Sequence, residues 1–236
     1  MLSVDAKGVF PIAPTPFLDD GAIDAAGVDR MIDHYVAAGA DGCTILGVMG
    51  EAPKLDQDEA IGFVAPALRA PKLPFIVGVS TPGFAAMRVV ARRHGEGSGG
   101  VMIAPPPSPR TDDQIVTYYA QAVEAIGSDI PFVIQDCPLT LSVVMTPNVI
   151  RRIITDNASC VTLKHEDWPG LEKISAPRRF ENEGKLRRVP ILTGNGGLFL
   201  DFEMERGVDG AMTGYAFLEM LIDVARAAAR GSARPF

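Results

Sequence analysis

Cys160-Val161-Thr162-Leu163-Lys164-His165-Glu166-Asp167 is an apolar run of β character that ends in four polar residues. It is the sixth of eight such runs, the others covering 8–16, 42–48, 75–80, 100–104, 132–136, 190–194 and 210–213. They read as continuous apolar segments rather than alternating ones, as parallel strands covered on both faces do. Amphipathic stretches lie between them. Residues 25–38 carry Val28, Met31, Ile32, Tyr35 and Val36 on one helical face, and 112–126 carry Ile115, Tyr118, Tyr119, Ala122 and Ile126. Residues 147–155 open after Thr146, a good N-cap, with Pro147 at the first helical position. Gly39-Ala40-Asp41-Gly42, Gly97-Ser98-Gly99-Gly100 and Gly207-Val208-Asp209-Gly210 each suit a glycine-capped helix end turning into a strand. Eight βα units favour an α/β fold of the closed (β/α)₈ TIM-barrel type, one domain spanning 1–236. An open dinucleotide-binding sheet would want G-x-G-x-x-G after its first strand, where this chain has Pro14-Thr15-Pro16-Phe17. Pro66 is expected to kink or end the helix over 56–70.

The 236 residues suit one barrel, and 47% hydrophobic content supplies a core. A net charge of -7 argues against nucleic acid as partner. Glu181 and Glu183 interrupt the main basic cluster, Arg178, Arg179, Lys185, Arg187 and Arg188, which reads as a solvated helix and loop. Cys43, Cys137 and Cys160 lie in or beside strand runs, odd in number and without zinc spacing, so buried reduced thiols in a cytoplasmic protein are expected. No signal-peptide pattern opens the sequence, and no apolar run approaches the roughly 20 residues of a membrane span.

In a barrel the chemistry sits at the C-terminal ends of the strands. Lys164 is the one lysine at these ends. Desolvation at a barrel mouth lowers an amine's pKa and makes it a nucleophile. The plainer alternative has Lys164 pointing outward or pairing with Glu166 or Asp167. Gly47-Val48-Met49-Gly50 follows strand 2, and its glycines would let the Val48 and Met49 amides hold a carboxylate. Gly194 and Asn195, opening the glycine-rich stretch after strand 7, are candidates for an anion or a hydroxyl-bearing substrate. His165, Glu166 and Asp167 alternate in direction on an extended strand, so no metal site is expected. Asp167 is read instead as the N-cap of a helix over 168–174 with Pro169 in its first turn. His34 and His94 lie within helical patterns as surface or packing residues.

These residues resemble the dihydrodipicolinate synthase / N-acetylneuraminate lyase family from Gly8 to about Ala229. The segment from Ala38 through Gly50-Glu51 is similar to the family's strand 2 and G-[TS]-[TS]-G-E loop. Ile76-Val77-Gly78-Val79 is similar to its third strand. Val161-Thr162-Leu163-Lys164 falls where the family has its Schiff-base lysine. The resemblance implies a (β/α)₈ barrel, a homo-oligomer (dimer or tetramer), and a carbon–carbon or carbon–oxygen lyase acting on pyruvate, another 2-keto acid or a sugar acid through a lysine imine. No cofactor is implied. Lys164 would be the nucleophile, Gln135 would orient the substrate, and Met212 would pack over the imine. The departures bear on function. Val48 and Met49 replace the loop hydroxyls, and Gln135 replaces the proton-shuttling tyrosine. Pro106 or Pro107 stands at a second relay tyrosine, and Thr140 at a carboxylate-binding arginine. The expectation is therefore an aldolase or dehydratase other than a true dihydrodipicolinate synthase. Asp136 or His165 would move protons, since glutamine does not ionise near neutral pH. Family barrels carry further helices after the eighth, and most of that C-terminal extension is missing here. Two other readings stay open: a catalytically silent barrel that binds a small acid or serves as an assembly subunit, and a metal-dependent aldolase.

Overall fold

The continuous apolar runs become strands of one parallel sheet. The computed structural model describes residues 3, 5–69, 73–81, 83–95, 98–168 and 170–231. In chain order the elements are β1 Gly8–Pro11, α1 Ala25–Ala38, β2 Cys43–Ile45, a 3₁₀ turn Ala52–Lys54, α2 Gln57–Arg69, β3 Phe75–Gly78, α3 Phe84–Gly95, β4 Gly100–Ile103, α4 Asp112–Ile126, β5 Phe132–Asp136, α5 Pro138–Leu141, α6 Pro147–Asp156, β6 Cys160–His165, α7 Leu171–Asn182, β7 Ile191–Thr193, a 3₁₀ turn Asn195–Gly197, α8 Leu200–Glu205, β8 Gly210–Thr213 and α9 Leu218–Ala229. The sheet order is β1-β8-β7-β6-β5-β4-β3-β2. A parallel bridge between Ile12 and Thr44 joins β1 to β2, and the Ala13 amide donates to the Thr44 carbonyl at 2.8 Å. The eight strands thus form the expected α/β TIM barrel.

Strand side chains alternate between two apolar layers. Those pointing outward, such as Cys43, Phe75, Phe132 and Ile134, pack against Phe63, Met87, Tyr119 and Ile150 of the surrounding helices. Those pointing inward, Phe10, Ile12, Ile76, Met102, Val133, Leu192 and Met212, fill the barrel. Burial of this kind contributes about 25 cal/mol per Å² of apolar surface, which is what holds the short strands together.

Strand β6 breaks the alternation. Phe132 pairs with Cys160, but Val133 pairs with Thr162, so β6 holds one extra residue at that point. Cys160 faces the helices and Thr162 lies opposite inward-facing Val133. Without this β-bulge, strict alternation from Cys160 would turn Lys164 toward the helices. With it, Lys164 pairs with Gln135 on the inner face.

Several local expectations meet the structure directly. Thr146 caps α6, its hydroxyl accepting from the Val149 amide at 3.2 Å, with Pro147 in the first turn. Gly39 ends α1 in the left-handed region at φ 89°, and Gly207 turns toward β8 at φ 90°. The related stretch from Gly97 lies partly outside the described residues. Others need correction. Helix α2 continues through Pro66 to Arg69 rather than ending at the proline. Proline costs the helix a hydrogen bond, which the burial of Phe63 and Val64 against the sheet offsets. Asp167 does not cap a helix at Trp168. Helix α7 starts at Leu171 with Gly170 as its N-cap, and Pro169 lies outside the described residues. The basic cluster is not simply solvated. Arg178 ties Glu181 to Asp209 at 2.8 Å each, and the Arg187 guanidinium donates to the carbonyls of Asn157, Ala158 and Cys160. Among the described residues, no helix is long and apolar enough to cross a membrane.

Candidate active site

At the C-terminal end of β6 the Lys164 side chain enters the barrel and is only 4% exposed. Its ammonium forms an ion pair with the Glu166 carboxylate. Glu166 reaches the same face because it stands two residues further along, the period of an extended strand. Its amide donates to the Asp136 carbonyl at 2.7 Å, continuing the β5–β6 ladder past the last strand residue. Gly194, after β7, leaves the space its carboxylate arm occupies: a β-carbon there would overlap the Glu166 side chain. The Cys137 thiol lies near the same carboxylate. Burial, and then the Glu166 charge and hydrogen bond, push it up to about 11. Gln135 faces Lys164 across the β5–β6 pair and is also buried.

Asp136 and His165 do not join this group. Each is one residue from an inward-facing position, so each points into the layer between sheet and helices. There the His165 Nδ1 lies 3.2 Å from Asp136 Oδ2, and Lys173 Nζ lies 2.8 Å from the same oxygen. Lys173 also reaches Asp167 at 3.0 Å. The buried His165 Nε2 has no partner among the described residues and sits where a β-carbon on Gly170 would fall. This cluster ties α7 to the strand ends, and it places neither Asp136 nor His165 at the Lys164 amine.

The Gly47-Val48-Met49-Gly50 turn has a backbone that only close approach allows. Leu46 enters it at φ 53° and Glu51 leaves at φ 57°, both in the left-handed region. Gly78 in β3 makes room for the Leu46 carbonyl. The Thr15 hydroxyl donates to the Gly50 carbonyl at 2.6 Å and pins the turn to the loop that follows β1. Among the described residues, neither the Val48 nor the Met49 amide donates to a backbone carbonyl. Their side chains are 46% and 51% exposed, with Met49 lying against Gly214 after β8. A cavity of about 460 Å³ opens between the ends of β2–β4 and helices α2 and α3, lined by Leu46, Ala60, Gly78, Ala86, Val90 and Ala104, and neither Lys164 nor Glu166 lines it.

The stretch after β7 differs from the expected anion cradle. The Gly194 amide donates to the His165 carbonyl at 2.9 Å, the Gly196 amide to Thr213 Oγ1 at 2.8 Å, and the Gly197 amide to the Gly194 carbonyl at 2.9 Å. These donors are spent within the protein. Asn195 turns through φ 53° and lines a separate cavity with Tyr215 and Met220. Met212 lies fully buried in the barrel interior with Leu192 and Ile12. Among the described residues, no group of three or more His, Cys, Asp or Glu side chains is arranged to hold a metal ion.

The sequence offers Glu166 only as a partner for Lys164 in the plainer alternative, and the structure makes that pair without sending Lys164 outward. The signal was available: a carboxylate two positions after a strand lysine shares its face.

Residues 5–214 match the dihydrodipicolinate synthetase family. A 4-hydroxy-tetrahydrodipicolinate synthase of Thiobacillus denitrificans is 29% identical over 192 residues, which are 78% of this chain and 60% of that protein. An L-2-keto-3-deoxyarabonate dehydratase of Azospirillum brasilense is 32% identical over 154 residues, 61% of this chain and 48% of that protein. The chain therefore spans 48–60% of the length of these two curated relatives. A crystal structure of dihydrodipicolinate synthase from Rhodopseudomonas palustris is 61% identical with a TM-score of 0.95, covering 98% of this chain and 77% of that one. A sialic acid aldolase of Ruminococcus gnavus, at 21% identity and a TM-score of 0.83 over 95% of this chain and 74% of that one, shares the barrel.

Proposed function

The chain belongs to the dihydrodipicolinate synthetase family, and from that premise we propose that it is a class I lyase forming a Schiff base between Lys164 and a 2-keto acid. The observation that carries this reading is the placement of Lys164. It is the amine at the inner end of β6, buried and held against a carboxylate, where a carbonyl carbon entering the barrel mouth meets it. The protonated imine then serves as the electron sink for breaking or making the bond beyond C3. The exposed Val48–Met49 turn, whose two amides have no backbone partner among the described residues, suits the carboxylate of the keto acid. Gln135 is positioned to orient the bound substrate. Pyruvate or a sugar acid built on the same 2-keto acid fragment is the substrate class, and the related dehydratase of Azospirillum brasilense supports the second. The same reading takes the protein as a homo-oligomer and as cytoplasmic, and three buried free cysteines support the second of these.

A silent barrel that binds a small acid draws on the same ion pair, since an amine kept protonated by a carboxylate is no nucleophile. Borohydride reduction separates the two readings. With pyruvate and sodium borohydride, a stable adduct is expected on Lys164 by peptide mass spectrometry and none in Lys164→Ala. Failure of every 2-keto acid tried to add mass at Lys164 would overturn the lyase.

A further inference from the structure

We propose that Glu166 is the acid–base residue of this site, moving protons first between the Lys164 amine and the keto-acid oxygen and then at C3 of the imine. The proposal deepens the Lys164 reading and rests on it.

The geometry narrows the choice. Gln135 faces Lys164 but has no proton to give or take near neutral pH. Asp136 and His165 point into the opposite layer, and Asp136 is committed to Lys173 at 2.8 Å. Tyr118 and Tyr119 donate to the Ala104 and Ile103 carbonyls at 3.1 Å each, and Tyr119 sits in the helix–sheet layer. The Cys137 thiol is pushed up to about 11 and stays protonated at neutral pH, available to donate to Glu166. Glu166 is the carboxylate on the reacting nitrogen itself. A buried ion pair is an expensive way to stabilise a barrel, because desolvating both charges offsets most of their attraction. Gly194 leaves the space this carboxylate fills.

The chemistry balances with this single carboxylate. In the resting pair the lysine is an ammonium and the glutamate a carboxylate. As the keto acid enters, one proton passes from Nζ to Glu166, leaving a neutral amine beside a carboxylic acid. The amine adds to C2 and the carbonyl oxygen takes up the proton lost from nitrogen, giving the carbinolamine. Glu166 then protonates the departing hydroxyl. Water leaves, the protonated imine forms, and Glu166 is a carboxylate again. C3 is two bonds from that nitrogen, within reach of the carboxylate that touched it. Removal of a C3 proton gives the neutral enamine and a protonated Glu166. The same proton is returned in one of two ways. It goes to a hydroxyl leaving C4, as the C4–O bond breaks and water departs. Alternatively it goes to an aldehyde oxygen, as C3 adds to the aldehyde carbon.

The test uses pyruvate, whose methyl group is C3, and needs no second substrate. In D₂O, NMR reads deuterium entering the methyl group, and borohydride trapping reads the imine. Wild type is expected to trap and to exchange. Glu166→Gln is expected to trap at equilibrium but to exchange on the order of 10²- to 10⁴-fold more slowly, the usual worth of a positioned proton-transfer group. Glu166→Asp, which keeps the carboxylate on a shorter arm, should recover part of the rate. Exchange in Glu166→Gln equal to wild type, or trapping in wild type without any exchange, overturns the role of Glu166 while Lys164 stands. Absence of trapping in wild type removes the Lys164 reading and this proposal together.

Discussion

Gly194 lies directly over the Glu166 side chain, so that a β-carbon on Gly194 would occupy the space of the Glu166 Cγ. The two residues belong to loops after different strands, and the absence of one side chain is what seats the other. Gly194→Ala should therefore push the carboxylate off Lys164. Turnover and pyruvate methyl exchange should fall at least tenfold, the loss expected when a proton-transfer group is moved out of position. Borohydride trapping on Lys164 should persist. An unchanged exchange rate in Gly194→Ala would contradict the seating.

The Asp136 carboxylate is fully buried and takes Lys173 at 2.8 Å and His165 at 3.2 Å. Replacing Lys173 by methionine leaves that charge with a single, weaker partner. Removing one member of a buried ion pair costs about 3 kcal/mol or more. For a domain of this size that corresponds to a fall in Tm of roughly 6–12 °C. Calorimetry checks it. Lys173→Met combined with Asp136→Leu should recover much of the loss, since the stranded charge is gone.

Thr15 holds the Gly47–Gly50 turn by its 2.6 Å bond to the Gly50 carbonyl. Thr15→Val keeps the shape and removes the donor, at about 1 kcal/mol. On the proposed reading the turn contributes binding rather than proton transfer, so KM for the keto acid should rise about fivefold and kcat should stay within twofold of wild type. Steady-state kinetics decide this, and a fall in kcat with unchanged KM would count against the turn's role.

Burial and the Glu166 charge raise the Cys137 thiol from its ordinary value of 9.0 to about 11. A raised thiol pKa favours the neutral form in the fold. Its contribution to stability is complete below pH 9 and disappears as pH climbs through 11. Alkylation of native protein by iodoacetamide at pH 8 should be slow at Cys137. It should accelerate in Glu166→Gln, where the charge opposing the thiolate is lost. Tm should fall more steeply between pH 9 and 11 in wild type than in Cys137→Ala.

Much of the barrel was readable along the chain. Parallel strands buried on both faces write themselves as uninterrupted apolar runs, so the eight strands and the position of Lys164 at the end of β6 could be found without coordinates. Strand limits were harder. The run over 42–48 yields only Cys43–Ile45, because Leu46 leaves the ladder at φ 53° to start the Gly47–Gly50 turn. Apolar composition does not record where a backbone bends. The site was less legible. Asp136 and His165 attract notice as ionisable neighbours of inward positions, yet a one-residue offset sends both to the helix side. Glu166 entered only as a partner for Lys164 in the plainer alternative, and that ion pair is present, as period-two spacing allows.

Composition and periodicity were enough to specify a barrel with a lysine at a strand end, because both follow from how apolar residues repeat. Which way that lysine points was not in the pattern. Counting in twos from Cys160 turns it toward the helices, and the extra residue between Cys160 and Thr162 reverses the count. Such a bulge arises from how β6 docks on β5, a fit between strands distant in sequence. The same closure brings Gly194 over Glu166 and sends Lys173 to Asp136, meetings that no local stretch of sequence records.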